Sequence, residues 1–469
     1  MRRKKLYLVD KIVVIFILSV LFPLCPFSKD KPNVVLYPVI EGLSTAKEVT
    51  LLAEGQEVWV ENLKQPIPQD APWWFYTVPS ASNMEVNVAS FACSGVTDLS
   101  VKVNNPISKV VVRPKSKNIK FEKKGNVLNF KIPGPCKLFV EIDSMPPLLV
   151  FVNPLETNKP REGSKNIRMF GPGVHTPGIM TLNDNEQIYI APGAIVYGGF
   201  RGNPKHVRVF GRGILDGSLM KDRIIVLEGA SDVAFDGITI RCGTSWQNTL
   251  NNCENITYNN VKVISFGPTG DGIDPVCSSK IKIHDCFFRC SDDCIAVKGA
   301  HNGPSVSDIT VTNCTMAGYT SDGFTIGFET VTKSISNILV KDCDILYALG
   351  SNKVGEHSAF SIICDGPAMV ENIRFEDIRV EENVARLFEL NVTDAQHYTK
   401  TSPGHIKGIY LKNIKWSKNA PIILKGFDEN HLVEDVTFEA CTIAGNPLKG
   451  EEDEYFEMGQ FVRNVKVIN

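Results

Sequence analysis

A short phrase recurs along the second half of this chain, and it constrains the fold more than any other feature. It reads Val233-Ala-Phe-Asp-Gly-Ile-Thr-Ile, then Ile256-Thr-Tyr-Asn-Asn-Val-Lys-Val, then Ile281-Lys-Ile-His-Asp-Cys-Phe-Phe. Further copies begin at Ile309, Ile338, Ile373, Ile409 and Val436, with a truncated one at Val465, so successive starts lie 23 to 36 residues apart. Apolar residues fall mainly at positions 1, 3, 6 and 8 of each copy. Alternation within a phrase marks a strand, because successive side chains point to opposite faces. One strand phrase per 20 to 40 residues marks a solenoid. Position 5 is Gly237, Asn260, Asp285, Asn313, Asp342, Asp377, Asn413 or Ala440, mostly residues suited to a bend between two strand pieces. The combination predicts an all-β chain whose main body is a right-handed parallel β-helix, each coil about 4.8 Å above the last.

The repeat also decides how the cysteines are read. Thirteen of them invite a disulfide framework. Yet Cys286, Cys314, Cys343 and Cys441 all occupy position 6, where other copies place Ile238, Val261, Ile378 and Ile414. They are expected to be core residues acting as small hydrophobes. Cys242 and Cys290 share a register two coils apart, roughly 10 Å, too far to bridge. Cys286, Cys290 and Cys294 would suit a metal only on a helix, so neither a metal nor another cofactor is expected.

Ahead of the repeats, Gln187 to Phe200 and Val207 to Gly217 fit the first coils. Residues 30 to about 155 have another texture. Short pieces such as Glu57-Val-Trp-Val-Glu61, Lys109-Val-Val-Val-Arg113 and Val127-Leu-Asn-Phe-Lys131 are divided by Pro and Gly, which suggests a small antiparallel β-sandwich. The expected division is a sandwich over 29–158 and the β-helix over 159–469. Trp73, Trp74 and Phe75 either pack the sandwich against the helix or form a sugar platform.

At the N-terminus, Arg2, Arg3, Lys4 and Lys5 precede an apolar run from Ile12 to Leu24. The run is short for a bilayer span, which needs about 20 residues, and suits an export signal over residues 1–28. The expectation is a secreted or periplasmic protein with no stable membrane span once the signal is removed. Lipid attachment at Cys25 is disfavoured by the bulky Leu24. With 50 basic against 52 acidic residues, the net charge of −2 speaks against a nucleic-acid partner held by a basic face.

The candidate chemistry lies in the middle coils. Thr269-Gly-Asp-Gly-Ile-Asp274 is followed by Cys290-Ser-Asp-Asp-Cys-Ile-Ala-Val-Lys-Gly299, then by Thr320-Ser-Asp-Gly-Phe-Thr-Ile-Gly327. Each segment trails the strand pair of its coil by a few residues, so the acids should project from one face on neighbouring rungs. Stacked carboxylates repel, and some should hold protons above the usual range. A carboxylic acid beside a carboxylate is what glycosidic cleavage requires.

At these residues the chain resembles the polygalacturonase family, glycoside hydrolase family 28, and in layout the family 49 dextranase and isopullulanase group. The resemblance covers roughly residues 165 to 469 and is most specific at Gly-Asp-Gly-Ile-Asp and Ser-Asp-Asp-Cys-Ile-Ala-Val-Lys. It implies a pectin-lyase-like solenoid and a polysaccharide or oligosaccharide substrate. It also implies Asp292 as general acid, Asp271 and Asp293 as the carboxylates that hold and activate water, and inversion at the anomeric carbon. Asp322, Lys298 and Asp274 are the accompanying substrate-binding candidates. Two departures stand out. Where the family has Gly-His-Gly, this chain has Ser321-Asp322-Gly323, and where it has Arg-Ile-Lys, the strand reads Ala359-Phe-Ser-Ile-Ile-Cys364. Without that cationic pair a neutral or non-galacturonate glycan is the expected substrate. Pectin hydrolysis, a lyase with Arg289 or Lys298 as base, and a non-catalytic glycan-binding solenoid are the alternatives.

Overall fold

The computed structural model describes residues 34–65, 85–161, 163, 164, 166–348, 357–383, 386–394 and 399–469. The expected export signal with Cys25 and the Trp73-Trp74-Phe75 run lie outside the described residues.

The repeats form a parallel β-helix. Twelve strands stack into one parallel sheet, from Ile167–Phe170 to Val462–Ile468, and the recurring phrase supplies the last nine. Position 1 aligns from coil to coil: Val233 faces Ile256, Ile309 faces Ile338, and Ile338 faces Ile373. Positions 1, 3, 6 and 8 point into one continuous core, where Ile338 is only 1% exposed. Position 5 takes a left-handed backbone in all eight full copies, with φ between 51° and 80°. That conformation costs most side chains about 1–2 kcal/mol, and glycine, asparagine and aspartate visit it most readily. The residue before position 1 is left-handed too, at Asp232, Asn255, Asn337 and Asn372 among others. Asparagine side chains there bond from rung to rung, as in Asn372 Nδ2 to Asn337 Oδ1 at 2.7 Å.

After the bend, each coil continues in a second face (Thr239–Arg241, Lys262–Ile264, Phe287–Cys290 and Thr315–Gly318). A third face follows, including Asn248–Asn251, Ile273–Val276, Ile295–Gly303, Phe324–Thr332 and Ser358–Cys364. The twelve described cysteines are all free, and the four at position 6 are at most 1% exposed. Those four should therefore resist alkylation in the native protein and react fully after denaturation. Mass spectrometry that found any two of them bridged would contradict the core assignment.

The N-terminal part is a sandwich of a six-stranded and a five-stranded sheet. It is not wholly antiparallel, because Leu148–Pro154 pairs in parallel with Glu85–Cys93. Leu148–Pro154 returns by a hairpin from Cys136–Ile142 and enters the sheet between its partners, which sets its direction. Both sides of this sheet are covered. Leu138, Val140, Val150 and Val152 face the sandwich core, whereas Phe139, Leu149 and Phe151 face Cys242, Phe287 and Leu346 of the helix. Burial on two faces explains the uninterrupted apolar run of Leu148–Val152. Buried polar ties complete the joint: Arg241 bonds Glu61 at 2.6 and 2.9 Å, and Arg113 bonds Glu381 at 2.6 Å.

Candidate active site

The acids sit in the turns that lead from the second face to the third. Asp271, Asp293 and Asp322 each stand two residues ahead of Ile273, Ile295 and Phe324, which pair with one another across rungs. The three therefore form a column about 4.8 Å per step. Asp292 adjoins that column, and its Oδ1 accepts the Asp293 N–H at 3.1 Å. Small residues let the turns nest. A Cβ on Gly270 would come within 2.3 Å of Ser291 Oγ, and one on Gly272 within 2.3 Å of the Cys294 carbonyl oxygen. Ser265 Oγ donates to the Gly270 carbonyl within its own turn, while Ser291 Oγ donates to the Gly267 carbonyl and Thr320 Oγ1 to the Ser291 carbonyl, pinning each turn to the next.

Burial separates the five acids. Asp271, Asp274 and Asp322 are at most 3% exposed, whereas Asp292 and Asp293 are half-buried and reach solvent. Removal from water, reinforced by the charges of Asp271 and Asp293, holds the Asp292 carboxyl well above the usual range. Burial and the Asp271 and Asp322 charges lift Asp293 to about 7, with Lys298 and the Ser321 hydroxyl pulling the other way. Asp274 is raised strongly by burial and by the charge of Asp271. Asp271 is raised by burial and drawn back by Lys298, whose Nζ lies 3.7 Å from its Oδ2. A proton-holding acid thus stands beside a carboxyl poised near neutrality, and both face the solvent.

The remaining candidates are held within the protein. Asp322 accepts the Ser358 N–H at 2.9 Å and the Ser361 hydroxyl, and His357 Nδ1 lies 3.6 Å from its Oδ1. Lys298 pairs with Glu329 at 3.0 Å and lies 4.2 Å from the centre of the Trp246 ring. Arg223 lies against the same ring at 4.1 Å, and these residues line a cavity of about 750 Å³ that none of the five acids lines and that Lys298 links to Asp271. Arg289 is 1% exposed, stands 4.6 and 4.1 Å from the Phe266 and Tyr319 rings, and donates to the Ser265 carbonyl. His284 lies on the outer face of the long sheet, bonded to Thr312 at 2.9 Å.

Sequence reasoning missed Glu329, Trp246 and Arg223. Trp246 carried a readable signal, because it stands two residues before Asn248, which pairs with Ile273, and so shares the offset of the three acids. Glu329 follows the third turn within a continuous strand and has no counterpart at its register on the preceding coils.

Fold and site together define a glycoside hydrolase of the parallel β-helix type. The chain belongs to glycosyl hydrolases family 28, whose family model matches residues 212–454, more than half of the sequence. A probable polygalacturonase of Arabidopsis thaliana is 29% identical over 97 residues, and the match spans 20% of this chain and 20% of that one. Dex49A from Penicillium minioluteum shares the fold over 90% of this chain and 96% of its own, with a TM-score of 0.58 at 15% identity. A hyperthermoactive exopolygalacturonase from Thermotoga maritima aligns over 64% of this chain and 84% of its own, with a TM-score of 0.47 at 16% identity. Among the described residues no helix is long and apolar enough to cross a membrane.

Proposed function

We propose that this protein hydrolyses O-glycosidic bonds of a polysaccharide or oligosaccharide with inversion, after export by its N-terminal signal. The observation that carries this reading is the pair of solvent-reaching carboxyls, Asp292 and Asp293, on a column of otherwise sealed acids. Asp292 protonates the leaving oxygen, and Asp293 takes the proton of the attacking water. Asp271, paired with Lys298, keeps negative charge beneath them and orients the water. Elimination is the less fitting chemistry, since Arg289 is enclosed between two rings and Lys298 is already paired with Asp271 and Glu329.

The substrate we propose is neutral or at least not a galacturonate. Ser361 is tied to Asp322, Ile363 is 3% exposed, and Lys298 is taken up by two carboxylates. A substrate carboxylate here would meet unbalanced negative charge. Polygalacturonate should therefore be cleaved with a kcat/KM at least about tenfold below that of the best neutral glycan, equivalent to about 1.4 kcal/mol. A glycan panel read by product chromatography, with NMR of the first anomer released, tests substrate and stereochemistry together. Efficient cleavage of polygalacturonate would overturn the substrate reading. Ultraviolet-absorbing unsaturated products would overturn hydrolysis itself.

A further inference from the structure

Asp293 is reached by a chain of hydrogen bonds that begins on a different coil. Its Oδ1 accepts the Asp322 N–H at 3.0 Å and the hydroxyl of Ser321. Ser321 Oγ in turn lies 3.0 Å from His357 Nδ1. A serine hydroxyl carries one proton, and here it goes to the carboxylate. The contact with His357 must then be donated by the imidazole, which fixes a proton on Nδ1 in both its neutral and its charged form. His357 is 25% exposed, so the imidazole can exchange protons with solvent.

The surroundings give this chain a purpose. Asp293 is faced by Asp271, Asp292 and Asp322, and by Lys298 from Ile295–Gly303 as the cation acting on it. His357 is faced by Asp322 at 3.6 Å and by Ser321, while Glu389 from Arg386–Val392 adds negative charge near Asp322. A donor chain ending on Asp293 favours its ionised form, which a base must adopt. Lys298 cannot supply this alone, being shared with Asp271 and Glu329.

We infer that His357, acting through the Ser321 hydroxyl, is a positioning residue that holds Asp293 ionised and aimed at the attacking water. The inference rests on the hydrolytic reading above, and its test begins with the wild-type enzyme on a glycan it cleaves. The acidic limb of the kcat/KM profile should rise in pH by roughly one unit in His357→Ala, because loss of the donor to Ser321 weakens the bond that favours the ionised carboxyl. KM should stay within about twofold, as expected of a group that acts through the base. His357→Asn can still present an N–H to Ser321 and should recover part of the shift. Ser321→Ala should shift the limb by at least as much, and the double variant no further than Ser321→Ala, as one chain broken twice is still broken once. Melting curves confirm that each variant is folded.

The inference fails if His357→Ala leaves the limb in place while the protein is active and folded. It fails equally if the His357 and Ser321 shifts add in full, since the histidine would then act without the serine. If the wild type cleaves no glycan on the panel, it is the functional reading that fails.

Discussion

Asp292→Asn is expected to lower kcat by about 10²-fold or more while KM is retained. Asparagine keeps the shape of the side chain, and its oxygen can still accept the Asp293 N–H that Asp292 Oδ1 accepts at 3.1 Å. What it lacks is a proton to give. The wild-type acid holds that proton because burial and two neighbouring carboxylates disfavour its charge. An aryl glycoside with a very good leaving group needs little protonation, so it should partly restore turnover in Asp292→Asn. The same substrate should not restore Asp271→Asn or Asp293→Asn, in which water loses its orientation or its base. A wild-type rate for Asp292→Asn on natural glycan would remove that residue from the acid role.

The second large effect is on folding. Ile338→Asp places a carboxylate at position 1, between Ile309 and Ile373, in a column with no polar partner. Loss of the buried side chain and burial of an unpaired polar group each cost several kcal/mol, against a total stability of roughly 5–15 kcal/mol. Soluble folded protein should not be recovered. Leu339→Asp, one residue later, projects from the outer face between Thr310 and Arg374 and should be tolerated. Soluble yield and melting temperature of the two variants report directly on the register. An unchanged melting temperature for Ile338→Asp would show the coil assignment to be wrong.

What the sequence made legible was whatever the pleat writes into it. Alternation at Val233-Ala-Phe and Ile338-Leu-Val marks inside from outside, and the same alternation turned the position-6 cysteines into core residues. The alignment of Asp271, Asp293 and Asp322 was legible for the same reason, being a fixed offset from strands already in register. The parallel course of Leu148–Pro154 was not, because a two-sided apolar strand has no alternation to read. Nor was the contact of Ser321 with His357, which lies 36 residues downstream. The two sit on successive coils of unequal length, so no fixed offset in the sequence brings them together. Glu329 was hidden by sitting in a strand where polar outward residues are ordinary.

The joint between sandwich and helix has a mechanical consequence for the acids. In a solenoid each coil touches only its neighbours, so stability is a sum of adjacent interfaces and a middle coil can loosen without its distant fellows. Here the sandwich grips the back of the stack at intervals. It holds Arg241 through Glu61, Lys262 through Asn153, Asp285 through Lys137, Tyr347 through Glu141 and Glu381 through Arg113. These anchor points bracket the rungs that carry Asp271, Asp292, Asp293 and Asp322. The sandwich is a splint: it makes non-adjacent coils share one rigid backing, and the turns that must keep four repelling carboxyls in line cannot spread apart one rung at a time.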